Sequence, residues 1–451
     1  MLNHQDLAKK TANYVRKSVT LKIVSIGILI LLLLIPAGMI QNLISERQNR
    51  RDAAVQEISR KWGSHQTITG PFLSVPFKTF FKDTDGKTQV KLGYLQILPE
   101  TLDVLGEIKP EVRYRSLFEA VLYNIRLKFS GNFKLPSMTQ LNIDPNHILW
   151  DKAYLSLGIT DMGGIQDKII IHFNGAVYNA EPGLKSADLS EAGVSTMISP
   201  LTTNQLQAFS FDLNLNGSEQ ISIIPVGESN AVKLNSSWPS PSFNGAFLPA
   251  AREVKKDGFS ATWKILHLNR NYPQFWEGGQ YKVASSAFGV KLILTADVYQ
   301  KSMRLAKYSV MFLIFTFAAF FFSEIINKKR VHPIQYILVG MAILIFYTLV
   351  LSLSEHMQFN YAYILSAAAV TLIISGYARA IVSNSKFALT ILGILAVLYG
   401  YLFIVLQLED YALIMGSIGL LTILALVMYI TRKINWYEVE TTKEENESET
   451  D

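Results

Sequence analysis

Two short stretches of this chain gather side chains that can hold a cation or pass a proton: Glu355-His356 and, further on, Glu409-Asp410. Carboxylates beside an imidazole are the donors that a divalent ion or a proton relay uses. The same residues also suit a plainer purpose, because short loops need polar groups where chain meets water. A third use is docking, through their negative charge, against a neighbouring domain. A second group is aromatic. Trp238 and Phe243, set among prolines, and the run Arg270-Asn271-Tyr272-Pro273-Gln274-Phe275-Trp276 offer rings, amides and a cation. Amphipathic rings of this kind make binding surfaces for a lipid, glycan or protein; they also make rigid corners of a β fold. Arg113-Tyr114-Arg115 sets two cations around one ring. That pattern suits lipid headgroups or an anionic polymer, and equally an exposed strand with alternating charge.

Missing residues bound the chemistry too. The chain has no cysteine, which removes disulfides, thiolate metal sites and cysteine nucleophiles. Its seven histidines are scattered. No H-E-x-x-H, G-x-S-x-G elbow or Walker lysine loop occurs. His147, His172 and His267 read as ordinary strand or loop residues. These patterns call for no catalytic residue, no metal and no cofactor, and the chain reads as a non-enzyme.

The elements that must position these groups follow from the distribution of apolar residues. Of the 451 residues, 49% are hydrophobic and only 17% charged. The apolar ones concentrate in one early block and one long late block, which is how a membrane protein reads. The first run, Ile23–Ile40, follows Lys9, Lys10, Arg16, Lys17 and Lys22. It is long for a signal peptide and no A-x-A site follows it, so it reads as an uncleaved anchor. Five further runs lie near Tyr308–Ser323, Gln335–Leu353, Tyr361–Ala378, Phe387–Leu406 and Tyr411–Ile430, each close to the roughly 20 residues a span needs. Between Tyr308 and Ile430 every Asp, Glu, Lys or Arg falls at a helix end or in a loop. That argues against a charged conduction pathway.

Lys328, Lys329, Arg330, Arg379, Lys386, Arg432 and Lys433 flank alternate loops, while Ser354–Asn360 and Gln407–Asp410 carry no Lys or Arg. The positive-inside rule then places both termini in the cytoplasm of a six-helix protein. Arg47, Arg50, Arg51 and Arg60 disagree locally, lying just outside the first helix. The net charge of +6 is a topology signal, and no nucleic-acid stripe is present.

The expected fold class is membrane α + β. Residues 1–22 form a cytoplasmic N-terminus and 23–40 a transmembrane anchor. Residues 41–306 form a periplasmic, sandwich-like β-rich domain with a leading helix. Residues 307–430 form a five-helix transmembrane bundle, and 431–451 an acidic cytoplasmic tail. Ile44, Val55, Ile58 and Trp62 recur at helical spacing in the leading helix. Beyond Gly70 the pattern turns to β. Leu127 with Phe129, Ile169–Phe173 and Val290–Leu294 read as strands. Ala208–Leu215 alternates, Asn216-Gly217 follows, and Ile221 and Ile223 resume, so a hairpin is expected there. His332-Pro333 reads as a helix start.

Several stretches also resemble a known family. RRDAAVQEISRKWGSHQTITGP (Arg50–Pro71), PEVRYRSLFEAVLYN (Pro110–Asn124), SSWPSPSFNGAFLP (Ser236–Pro249) and LNRNYPQFW (Leu268–Trp276) are similar to signatures of the CreD family of bacterial inner-membrane proteins. HPIQYILVG (His332–Gly340), LSLSEH (Leu351–His356), LQLEDYALIMGS (Leu406–Ser417) and VMYITRKINWY (Val427–Tyr437) continue the resemblance in order. One departure is Ser240, where the family usually has histidine, which weakens any metal or proton role for that motif. The resemblance implies a bacterial inner-membrane location and a part in cell-envelope integrity and envelope stress responses, and supplies no reaction. The expected partners are the lipid bilayer and, beyond it, envelope proteins, lipid or glycan. The expected function is thus a non-enzymatic envelope-integrity protein whose periplasmic domain senses or binds a component. The rival is a membrane enzyme, or a transporter of a lipid or neutral small molecule, that uses the helix-bundle cavity.

Overall fold

The computed structural model describes residues 19–82, 85, 87–141, 143–198, 201, 206–294, 298–326, 331–382, 385–408 and 411–432. They divide into two compact units, one helical (Met1–Arg50 with Asp297–Asp451) and one of β structure (Arg51–Ala296). Helix α1 (Val19–Trp62) contributes to both. The other helices, all in the helical unit, are α2 (Val298–Lys307), α3 (Ser309–Ile326), α4 (Pro333–Ser354), α5 (Phe359–Val382), α6 (Ser385–Gln407) and α7 (Ala412–Thr431).

Among the described residues four helices are long and apolar enough to cross a membrane: α1, α4, α5 and α6. The pair α2–α3, bent by 44°, makes a fifth if it counts as one span. On α1, Ile35 and Met39 are 68% and 66% exposed, an apolar surface that suits lipid rather than water. Helix α4 opens as its sequence expects. Pro333 occupies the first turn, His332 accepts the Ile334 amide at its ring nitrogen, and Gln335 accepts the His332 amide in return. These caps satisfy amides that a helix start leaves without partners. The centre of the unit is aromatic: Phe346 sits 5.0 Å from Tyr347, 5.4 Å from Tyr363 and 4.7 Å from Tyr399, and the Tyr363 hydroxyl donates to the Tyr399 carbonyl at 2.6 Å.

The β unit is a sandwich of two mixed sheets around one core. One sheet runs Pro241–Gly245, Phe288–Leu292, Gln220–Ile224, Gln66–Lys82, Ala153–Ile159, Gly193–Ile198, Glu181–Pro182. Thr88–Ile97 pairs with the long Gln66–Lys82 strand and carries Phe275–Glu277 on its other edge. The second runs Ala251–Lys255, Gly258–Leu266, Ser229–Ser236, Thr101–Arg115, Phe118–Phe133, Gln207–Ser218, Ile170–Phe173, Ala176–Asn179. Each sheet has one parallel pair, Gln66 beside Ile221 and Thr101 beside Ser229. Alternating burial along Thr101–Arg115 and Gln207–Ser218 is the period-2 signature of strands with one face inward. Trp263 of the second sheet is buried against Phe243 and Phe288 of the first, at ring distances of 5.8 and 5.4 Å.

The hairpin expected around Asn216-Gly217 is not formed. Gln207–Ser218 stays in the second sheet, paired with Phe118–Phe133, whereas Gln220–Ile224 crosses to the first. Asn216-Gly217 lies inside the strand for two reasons. The Asn124 amide donates to the side-chain oxygens of both Asn214 and Asn216. At Gly217, a side chain would meet the Tyr123 ring, whose hydroxyl is 2.3 Å from the Cβ position. The change of sheet is made at Glu219, with φ of 56°. A two-residue turn signal loses here to side-chain packing from the neighbouring strand.

Candidate cleft of the β unit and polar pairs of the helical unit

The first family-like stretch ends in the β unit, and its residues show why it takes this form. Trp62, the last residue of α1, donates its indole N–H to the Tyr123 carbonyl at 3.2 Å, and the Arg113 guanidinium lies 4.0 Å from the Trp62 ring. Arg115 pairs with Glu57. Arg113 and Arg115, read from sequence as contacts for an anionic partner or as plain strand residues, thus grip the end of α1 from the strand Thr101–Arg115. Past the helix, the Ser64 amide donates to Asp161 at 2.8 Å. Gln66 donates to the carbonyls of Asp161 and Asn216, both at 3.0 Å, and the His65 ring lies 3.2 Å from the Glu219 carboxylate. At Asp161, burial raises the carboxyl, but the amides of Ser64 and Gly163 outweigh it and hold the group below the usual carboxylate range. At Glu219 the His65 hydrogen bond, helped by the charges of Lys291 and Arg51, does the same against burial.

The start of the aromatic stretch, Arg270–Tyr272, lines a cleft of about 490 Å³. Asn269, Gln280, Tyr281, Lys282, Ser285 and Ser286 line it as well, with Ala246 and Phe247 completing the lining. The rings play unequal parts. Tyr272 and Trp276 are buried, packed edge to face at 6.2 Å, and Trp276 meets Tyr281 at 5.4 Å. The Tyr272 hydroxyl sits 3.1 Å from the Pro225 carbonyl and 2.7 Å from the Ser286 hydroxyl. Burial raises its pKa. These two rings support the lining, while Asn271 and Lys282 are exposed in it and Tyr281 is half-buried.

Arg270 is held by neutral oxygens. Its guanidinium donates to the carbonyls of Tyr272 at 2.6 Å, Val226 at 3.1 Å and Gly227 at 3.3 Å, and to the Gln274 amide oxygen. It stacks 4.2 Å from the Tyr272 ring. Its Nε is buried without an acceptor. Burial pushes its pKa down to about 10, so the group stays charged at neutral pH. Trp238 and Phe243 lie apart from this lining. The Trp238 indole donates to the Ile293 carbonyl at 3.1 Å, and Phe243 packs edge-on against Phe259 at 5.6 Å. Phe243 lies within the strand Pro241–Gly245, and Trp238 just before it.

In the helical unit, Glu355 caps the end of α4. Its side chain is 8% exposed, accepts the Tyr299 hydroxyl of α2 at 3.0 Å, and lies 3.7 Å from Arg47 of α1. Arg47, which counted against the charge pattern in the sequence, has a carboxylate partner here. His356 is exposed in the following turn. Glu409 and Asp410 lie outside the described residues, as do Lys328, Lys329, Arg330 and the acidic tail. Among the described residues no group of three His, Asp or Glu side chains comes together as a metal site would require.

A second polar cluster was not foreseen. Lys22 of α1 pairs with Glu324 of α3 and also donates to the Val331 carbonyl at 3.2 Å, while the Tyr336 hydroxyl of α4 donates to Glu324 at 3.3 Å. Between α1 and α4 runs a groove of about 610 Å³, walled by Pro36, Met39, Leu43, Met341, Leu344 and Ile345, with Asn42, Glu46 and Thr348 as its polar members.

Comparison with known proteins agrees with the signatures. A family model described as "Inner membrane protein CreD" matches residues 18–437. A protein of Escherichia coli (strain K12) named "Inner membrane protein CreD" is 31% identical over 421 residues, covering 90% of this chain and 91% of that protein. An apolar N-terminal helix, a β sandwich and a set of apolar C-terminal helices, matched along almost all their length by one family, make this chain a member of the CreD family of inner membrane proteins.

Proposed function

We propose that this protein is a non-enzymatic contributor to cell-envelope integrity and the envelope stress response, and that its β unit binds an envelope component in the periplasm. The observation that carries this reading is the Arg270 cleft. Its size falls within the roughly 300–1,000 Å³ of ligand sites. Its lining offers amide, hydroxyl, guanidinium and ammonium donors, with no carboxylate or imidazole among them. Such a lining can recognise a ligand through hydrogen bonds and charge. The envelope role itself rests on the family resemblance. Placing the cleft outside the membrane rests on the asymmetry of Lys and Arg between loops. The proposed topology has six spans, counting the bent pair α2–α3 as one and adding the 20-residue apolar helix α7, with both termini cytoplasmic.

Filling the cleft tests this reading. Ala246→Trp and Ser285→Trp change exposed residues of the lining, so both variants should reach the membrane at normal levels. Expressed in cells lacking the native gene, they should fail to restore resistance to envelope stress that the unaltered protein restores. Full restoration by both would sink the reading.

The groove between α1 and α4 favours a second reading, a lipid-handling role for the helical unit. Its walls are chiefly apolar and lie on helices with membrane-spanning character.

A further inference from the structure

The cleft carries information about its ligand. Two of its lining residues are cationic, Arg270 and Lys282, and none is acidic. Arg270 forms no ion pair among the described residues; every acceptor it uses is a carbonyl or amide oxygen. Glu228 is close enough to influence it, but the ionic contact of Glu228 is to His267, at 3.9 Å. A guanidinium ringed by neutral dipoles keeps its positive charge, and that charge acts strongly where water is partly excluded. The Nε–H has no acceptor but is itself buried, so a ligand would meet Arg270 through the charge of its guanidinium rather than through that donor. Lys282 adds a second, exposed charge to the lining.

The rest of the lining is rich in groups that bind hydroxyls. Asn269, Asn271 and Gln280 each carry both a donor and an acceptor, and Ser285 adds a hydroxyl. The Tyr281 ring, held edge-on by Trp276, supplies a flat apolar body against which a ring with C–H faces can lie.

We propose that the cleft binds a sugar-sized, hydroxylated ligand bearing a negative charge, with its anionic group set against Arg270 and Lys282 and its hydroxyls against the amides. The proposal rests on reading the cleft as a binding site, as above. Carboxylate and phosphate share this chemistry, and both make strong charge-assisted bonds to guanidinium and ammonium groups.

The test uses the full-length protein in detergent micelles, titrated with glucuronate, glucose 6-phosphate and glucose. Tryptophan emission reports binding, with Trp276→Phe identifying the local signal, and a thermal shift provides a second readout. Saturable binding is expected for at least one anion, roughly ten-fold or more tighter than for glucose, and weaker as salt is raised. Comparing glucuronate with glucose 6-phosphate decides between carboxylate and phosphate. Lys282→Glu should weaken the anion by roughly ten-fold while leaving the unfolding temperature of the unliganded protein unchanged. This variant is the informative one, because Arg270 also ties down the carbonyls of Tyr272, Pro273, Val226 and Gly227 and its replacement disturbs the fold. Equal binding of glucose and both anions would overturn the charge assignment and leave the cleft as a binding site. Absence of saturable binding by either anion would overturn the ligand class, and the cleft-filling variants would then judge the cleft separately.

Discussion

Lys22→Met is expected to destabilise the helical unit by about 3–5 kcal/mol, the range seen when one partner of a buried ion pair is removed. Glu324 is the reason. Its side chain is 9% exposed, and besides Lys22 its hydrogen-bond partner is the Tyr336 hydroxyl. Without Lys22 a carboxylate is left in an apolar setting with one neutral donor. Glu324→Leu should cost less, since the Lys22 side chain, 24% exposed, can turn its ammonium toward water. The double variant Lys22→Met with Glu324→Leu should recover most of the loss, because apolar pairs replace buried ion pairs at little cost. Unfolding of the purified protein in mixed micelles measures all three. Additive losses in the double variant would show that the two groups act independently and that the pair does not lock α1 onto α3.

Gly63→Ala is the second large effect, at about 3 kcal/mol or more from combined backbone strain and overpacking. Gly63 adopts φ of 145°, and a Cβ there would sit 2.5 Å from the Asn216 carbonyl oxygen. That oxygen already accepts from Gln66, so it cannot move without breaking a contact that joins the start of the first sheet to the second. The loss should appear as faster amide hydrogen exchange along Gln66–Lys82 in the full-length protein. Gly175→Ala is the control: its φ is 82°, but nothing lies within 4 Å of the added Cβ, so only the backbone term remains. Similar exchange in the two variants would remove the crowding argument.

What could be read in advance follows from the range of the interactions involved. Helices α1, α4, α5 and α6 were legible because apolar composition acts locally, and the start of α4 because His332, Pro333 and Gln335 cap within one turn. The strand Gln207–Ser218 was legible from its alternation. Its assumed hairpin was not, because Asn124 and Tyr123, from a strand distant in sequence, decide what Asn216-Gly217 does. The pairing of Lys22 with Glu324 joins residues 302 apart in the chain, and no local pattern announces it. The cleft was half visible. Arg270, Asn271, Tyr272 and Trp276 stand out in the sequence as a dense run of rings and polar groups, whereas Gln280–Lys282, Ser285 and Ser286 belong to no motif. Burial then reverses the parts expected of the rings: Tyr272 and Trp276 brace the site, and the smaller polar residues form its face.

Single-cysteine labelling tests the central claim, a ligand cleft facing the periplasm, most directly. The chain has no cysteine of its own, so each introduced thiol is the sole target of a membrane-impermeant maleimide. In cells with a permeabilised outer membrane, Ser285→Cys on the cleft wall should label fully. Lys386→Cys at the start of α6 should label only after the inner membrane is broken. Labelling of Lys386→Cys in intact cells, with Ser285→Cys protected until lysis, would put the cleft in the cytoplasm and contradict the account.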